Sequence, residues 1–142
     1  MRIDAIGSAA SGLGAAIQQL NATANNLANL QTTKRMDETA FQGDRPVLTE
    51  APEGGVRVDG SVPAGTPEGI PVSQPANPQA DGSGFVRLPN IDVAGEMVGM
   101  MSAQSAVASN VVVVNRAVDA YRDLLAMTKS DRDRQAAAPV SL

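Results

Sequence analysis

The stretch LNATANNLAN, residues 20–29, carries four asparagines (Asn21, Asn25, Asn26, Asn29) inside a run whose apolar residues keep helical spacing. Asparagine competes with the helical backbone for hydrogen bonds and is a poor helix former, so so many of them in one helix need a neighbour to face. Working outward, Ile3, Ile6, Ala10, Leu13, Ile17, Leu20, Ala24 and Leu27 recur at alternating steps of three and four. That is an a/d heptad seam, which predicts a helix from residue 3 to about 30 that packs against other helices.

The same pattern returns at the other end of the chain. Val93, Met97, Met100, Gln104, Val107, Val111, Val114, Val118, Tyr121 and Leu125 form a second seam, which predicts a helix from about 91 to 129 with Asn90 or Asp92 as its N-cap. At the helical rise per residue, the two would be roughly 40 and 50 Å long. Between them, residues 43–90 hold eight of the nine prolines and eight of the thirteen glycines, a density that no long helix survives. Short β-type runs remain at PVLT (46–49), VRV (56–58) and FVRL (85–88), with Asp59-Gly60 expected to turn the chain after VRV. The sequence therefore predicts a mainly α fold: two long terminal helices pairing as a coiled-coil-like hairpin, with a small Pro/Gly-rich β and loop insertion between them. Its segments are 1–42, 43–90, 91–129 and a charged, then small-residue tail over 130–142, which is expected to fray.

Charge is distributed unusually for heptad helices, which ordinarily carry Lys, Arg and Glu beside the seam. No ionisable side chain occurs between Asp4 and Lys34, and none between Glu96 and Arg116. Gly7, Gly12 and Gly14 each cost the first helix roughly 1 kcal/mol against alanine, so it has little reason to form alone. Each seam side chain that becomes fully buried contributes roughly 1.5–3 kcal/mol, and ten or more outweigh those penalties. Helices without charge on any side point to burial on several sides, as in a tube built from many copies, where amides meet between neighbours without the cost of burying ions. Asn21, Asn25 and Asn29 lie on one stripe and are expected to meet neighbouring chains.

Composition excludes much else. The 142 residues contain no histidine and no cysteine, which removes the usual general base, the thiol nucleophile and the common zinc ligands. No catalytic, cofactor-binding or metal site is expected. A net charge of −4 with eleven scattered basic residues gives no footprint for nucleic acid. GSAASGLG (7–14) has the gap of a phosphate loop, but Leu13 stands where the lysine is required, so it reads as close helix packing. Asp81 and Asp92 sit where turn and cap residues belong rather than as a catalytic pair. MVGMMSAQSAVASNVVVVN (97–115) is uncharged, yet three serines, a glutamine and two asparagines argue against a membrane span, and no aromatic belt flanks it. The N-terminus lacks the basic and apolar regions of a cleaved signal.

LNATANNLAN (20–29) and ANPQADGSGFVRLPNIDVAGEMVGMMSAQSAVASNVVVVN (76–115), with the Pro/Gly-rich middle, resemble the flagellar basal-body rod proteins, nearest to the C type of the proximal rod. The matching positions are Asn77, Pro78, Ala80, Asp81, Gly84, Phe85, Val86, Pro89, Asn90 and Ile91, then Glu96, Met97 and Val98, and later Asn110 and Asn115. TTKRMDE (32–38) departs from the family by lacking a Thr-Pro-Gly-Tyr turn, and the tail after Met127 overruns the usual end.

The resemblance implies a non-enzymatic structural subunit of a hollow, helically assembled shaft that transmits torque and encloses an export channel. It implies export without a cleaved signal and a place in the rod across the periplasm. The implied partners are copies of itself, other rod proteins and the flagellar export apparatus, with no nucleic acid, small-molecule substrate or transmembrane segment. Residues expected to pack between subunits are Ile3, Ile6, Leu13, Ile17, Leu20, Asn21, Asn25, Leu27 and Asn29 on the first helix. On the second they are Met97, Met100, Val107, Val111, Val114, Val118, Tyr121 and Leu125. The rival readings are another axial protein of the rod and hook family, or a soluble coiled-coil adaptor or export chaperone. An adaptor would carry charged flanks and form a stable dimer.

Overall fold

The computed structural model describes the backbone of residues 2–136 and excludes the side chains of 2–5, 131 and 134–136, so the expectation for the Ile3 side chain and that for 137–142 lie outside the described residues. Two helices, α1 (Arg2–Ala28) and α2 (Val93–Ala136), flank two antiparallel hairpins, β1 (Asp44–Glu50) with β2 (Val56–Pro63) and β3 (Ile70–Ser73) with β4 (Phe85–Leu88). The two-helix plan with a small antiparallel insertion is the one the sequence predicts. Helix α2 continues to Ala136, past the expected end near Lys129. No glycine or proline interrupts KSDRDRQA, and its alternating charges suit a solvated helix end.

The helices pair antiparallel. A Cβ on Gly12 would lie 3.1 Å from Asn110 Nδ2, and one on Gly99 would lie 3.8 Å from Thr23 Oγ1, so two contacts eleven residues apart on α1 are also eleven apart on α2. That offset sets Arg2 opposite Ala120 and leaves residues 121–136 of α2 extending beyond α1. The interior is small: Ala9, Ala15, Ala16, Thr23 and Asn26 of α1 and Glu96 and Ala103 of α2 are buried. Small side chains let the backbones approach, but each buries little apolar area, so the hairpin alone is weakly driven. Gly12→Val should therefore unfold the pair at lower temperature by thrusting methyl groups at Asn110, whereas Gly14→Val, facing open space, should leave the melting temperature within a few degrees. Circular dichroism melts of the two variants check this.

The β1–β2 hairpin lies along α1. At one end the Asn26 side chain pairs with the backbone of Asp44, donating Nδ2 to the carbonyl at 2.9 Å and accepting the N–H on Oδ1 at 2.9 Å. At the other, Ser11 Oγ accepts the Val56 N–H at 3.2 Å and donates to the Ser8 carbonyl at 2.9 Å. The expected turn at Asp59-Gly60 is not there. The chain reverses at 51–55, through Gly54 and Gly55 at φ of 93° and 86°, and β2 runs on to Pro63. Asp59 and Gly60 instead form a bulge: Pro46 pairs with Ser61 and Leu48 with Val58, so two residues face Val47. A two-residue turn there would leave Ser61–Pro63 unpaired, whereas the bulge keeps both flanks in the ladder.

Strand β3, which the sequence reading does not single out, pairs with β4 in a two-stranded sheet. Pro71 is tolerated at this edge because a lost ladder donor there costs little. Val86, fully buried, is the centre of this hairpin and faces Val72 across the pair. Lys34 bridges the other edge of β4 through two backbone hydrogen bonds with Arg87, of 2.9 and 2.8 Å. The Arg87 guanidinium donates to the Met36 carbonyl at 2.6 Å and the Pro67 carbonyl at 3.3 Å, tying two loops to one strand.

Candidate assembly surface

Among the described residues nominated for subunit packing, none is buried within the chain. Ile6, Ile17, Asn21 and Asn25 of α1 are exposed, while Leu13, Leu20, Leu27 and Asn29 are half-buried. Met97, Val111, Val118, Tyr121 and Leu125 of α2 are exposed, and Met100, Val107 and Val114 are half-buried. The small face of α1 turns toward α2 and the β1–β2 hairpin, Ile6 and Ile17 turn outward, and Leu13, Leu20 and Leu27 lie at the margin between the two. This inverts the usual arrangement of a lone helical hairpin, in which large apolar residues fill the interior.

The exposed apolar surface is concentrated on α2. Met97, Val98, Met101, Tyr121 and Met127 are each more than half exposed. An 18-residue window within Val93–Ser130 reaches a mean hydropathy of 1.5, enough by length and composition for a membrane span, yet only 6% of it is buried in the chain. Apolar surface on this scale marks contact with something other than water. Past residue 120, Tyr121, Leu124, Leu125 and Thr128 continue the face that α2 turns toward α1 further up, so the overhang presents the same stripe where, among the described residues, no other helix lies beside it.

The asparagines divide by role. Asn29 donates Nδ2 to the Asn25 carbonyl at 2.9 Å and the Asn25 side chain at 3.2 Å, and it accepts from Thr32 at 3.1 Å, which closes the end of α1. Asn21 stays exposed. Asn26, which the sequence reading passed over as a site, is wholly buried and clamps α1 to β1. The signal was present: Asn26 falls on the same helical face as Ala9, Ala16 and Thr23.

Asp81 and Asp92 are turn and cap residues. Asp81 Oδ1 accepts the N–H groups of Ser83 and Phe85 at 2.8 and 2.9 Å and shapes the loop into β4, with Gly84 at φ 80°. Asp92, rather than Asn90, caps α2 by accepting the Ala94 N–H at 3.1 Å. Asp92→Ala should cost about 1 kcal/mol, read as a lower melting temperature. Among the described residues no three His, Cys, Asp or Glu side chains come together to hold a metal ion.

A subunit with a small-residue interior, large apolar residues outside and neutral paired helices is an assembly protein of the axial, helix-packed kind. The comparisons name the family. A FlgC flagellar basal-body rod protein of Yersinia enterocolitica is 39% identical over 112 residues, covering 75% of this chain and 83% of the relative. That of Salmonella typhimurium is 38% identical over the same length and coverage. The FlgC of Borreliella burgdorferi is 26% identical over 140 residues, 84% of this chain and 92% of the relative. No family model matches the chain. The chain belongs to the FlgC family of flagellar basal-body rod proteins.

Proposed function

We propose that the protein is a structural subunit of the proximal rod of the bacterial flagellum, exported without a cleaved signal and assembled helically across the periplasm into a hollow shaft. The observation that carries this, beside family membership, is the outward-facing apolar surface of α1 and α2. Ile6, Leu13, Ile17, Leu20 and Leu27, with Met97, Met100, Val107, Val111, Val114, Val118, Tyr121 and Leu125, pack against neighbouring subunits in a coiled-coil-like manner; Asn21, Asn25 and Asn29 lie beside them. Ile3 belongs with this set by spacing. Heterologous contacts that do not close generate a filament, and stiff parallel helices transmit torque along it while leaving a central channel for export.

Protein neighbours rather than lipid cover α2. Ser102, Gln104, Ser105, Ser109, Asn110 and Asn115 punctuate its apolar stretch, and each would lie unpaired in hydrocarbon on one side or another. Copies of the chain, other rod proteins and, during export, the flagellar export apparatus are the partners; the function requires no cofactor, nucleic acid or catalytic group. The test is complementation of a non-swimming strain that lacks its own FlgC. The full chain should restore swimming and appear in purified basal bodies. Deletion of residues 2–28 should abolish both, and retention of either would remove α1 from the assembly.

A further inference from the structure

Strands β3 and β4 stand apart from the rest of the subunit. Among the described residues neither packs against α1, α2, β1 or β2. They are tied instead to the loop that follows α1, through the Lys34–Arg87 bridge, the Ala40 N–H donating to the Pro67 carbonyl at 2.9 Å, and the Arg87 guanidinium on the Met36 and Pro67 carbonyls. Residues 33–41 and 66–89 thus form a small head with buried side chains of its own, Ala40 and Val86. The chain passes between this head and the helical part at 29–32, 42–43, 64–65 and 90–91.

The last three of these passes meet at Gly65. Its N–H donates to the Gln42 carbonyl at 2.7 Å. A Cβ on Gly65 would lie 2.8 Å from the Asn90 carbonyl oxygen, 3.1 Å from Ile91 Cγ1 and 3.2 Å from the Gln42 carbonyl oxygen. Gly43 borders the same point, where a Cβ would run into the Asn26 amide and stand 3.2 Å from Ile91 Cδ1. Ile91 is buried between the two glycines. A glycine at a narrow waist is often a hinge, but a hinge needs room to absorb changes in φ and ψ. Gly65 has backbone against it on two sides. Its φ lies outside the left-handed region, so space and not conformation requires glycine here.

We propose that the crossing at Gly65 is a fixed joint, which sets one angle between the head and the helix pair so that each meets its own neighbour when a subunit adds to the filament. The role in assembly rests on the rod-subunit reading; the joint does not. In a helical assembly every copy repeats the same contacts, so two parts of one subunit that meet different neighbours must hold one relative orientation. A head free to swing would have to be ordered at each addition, which weakens association, whereas a fixed one is ordered already.

Since the full chain has no cysteine, Ser73→Cys on the head and Ser105→Cys on α2, both exposed, accept a pair of nitroxide labels. Pulsed electron–electron distance measurement on the purified chain should give one narrow distance. Gly65→Ala should shift that distance while circular dichroism keeps the parental helix signal. Its content in basal bodies, in a strain lacking its own FlgC, should fall about tenfold or more. Gly82→Ala, which faces open space in the head, should match the parent in both measurements. Ile91→Ala loosens the joint without a clash and should broaden the distance, which keeps the joint testable where Gly65→Ala does not fold. A broad distance in the parent overturns the joint, as does a parental distance in Gly65→Ala or Ile91→Ala. A changed distance with parental incorporation overturns its role in assembly. A parental chain absent from basal bodies would overturn the rod reading and leave the joint to be decided by the distances.

Discussion

Asn26→Ala destabilises the isolated chain by about 2–4 kcal/mol, because two backbone groups lose their partner at once and a wholly buried side chain is removed. The Asp44 carbonyl and N–H both pair with this one side chain, and the side chain itself is wholly buried. Alanine supplies neither donor nor acceptor and leaves a void. Asn26→Asp separates the two effects: it nearly preserves volume and still accepts the Asp44 N–H, but sets a carboxylate oxygen against the Asp44 carbonyl. It should therefore be at least as damaging as alanine at neutral pH. Gly43 extends the same clamp, since at φ 67° any Cβ would run into the Asn26 amide. Chemical denaturation of the two Asn26 variants, followed by circular dichroism, checks this. An Asn26→Ala midpoint within error of the parent would mean that β1 is not anchored through this residue.

Leu125→Asp gives the opposite profile: a subunit as stable as the parent that fails to assemble. Leu125 is 53% exposed, on the part of α2 that outruns α1, so the substitution removes no contact within the chain. Under the proposed assembly the same position is covered by a neighbour. Loss of a buried leucine removes roughly 1.5–3 kcal/mol, and a buried unpaired carboxylate adds to the penalty. The expected outcome is a parental melting curve with swimming lost and basal-body content down by about a hundredfold, equivalent to nearly 3 kcal/mol. Tyr121→Asp should behave alike. If Leu125→Asp swims normally, the overhang faces water in the rod.

The two variants separate what the subunit needs for its own fold from what it needs for its neighbours. The boundary between the two is drawn by side-chain size. Small residues fill the contact of α1 with α2 and the hairpin; Leu13, Leu20, Leu27, Met100, Val107 and Val114 are half-buried at its margin, and the other large apolar residues of the helices face out. This division also accounts for the weak intrinsic drive of the hairpin, as its interior gains little apolar area.

Much is legible in the sequence alone. Alternating steps of three and four located both helices, proline and glycine density located the insertion, and the missing charges on both helices pointed to partners beyond solvent. The FVRL strand and the roles of Asp81 and Asp92 followed from local chemistry, because turns and caps are decided within a few residues. What local pattern could not decide was direction. The heptad seam of α1 marks a face that packs, but whether it packs on α2 or on another subunit depends on which face the hairpin already covers. Asn26 illustrates the same limit, since its partner is the backbone of Asp44, eighteen residues away and with no side-chain signature. The Asp59-Gly60 turn was misplaced for a related reason: the dipeptide suits a turn and a bulge alike, and only strand pairing with β1 selects between them. Sequence thus determined which segments are helical and that they must be covered; the tertiary fold decided which face each turns inward, because that choice is made by contacts distant along the chain.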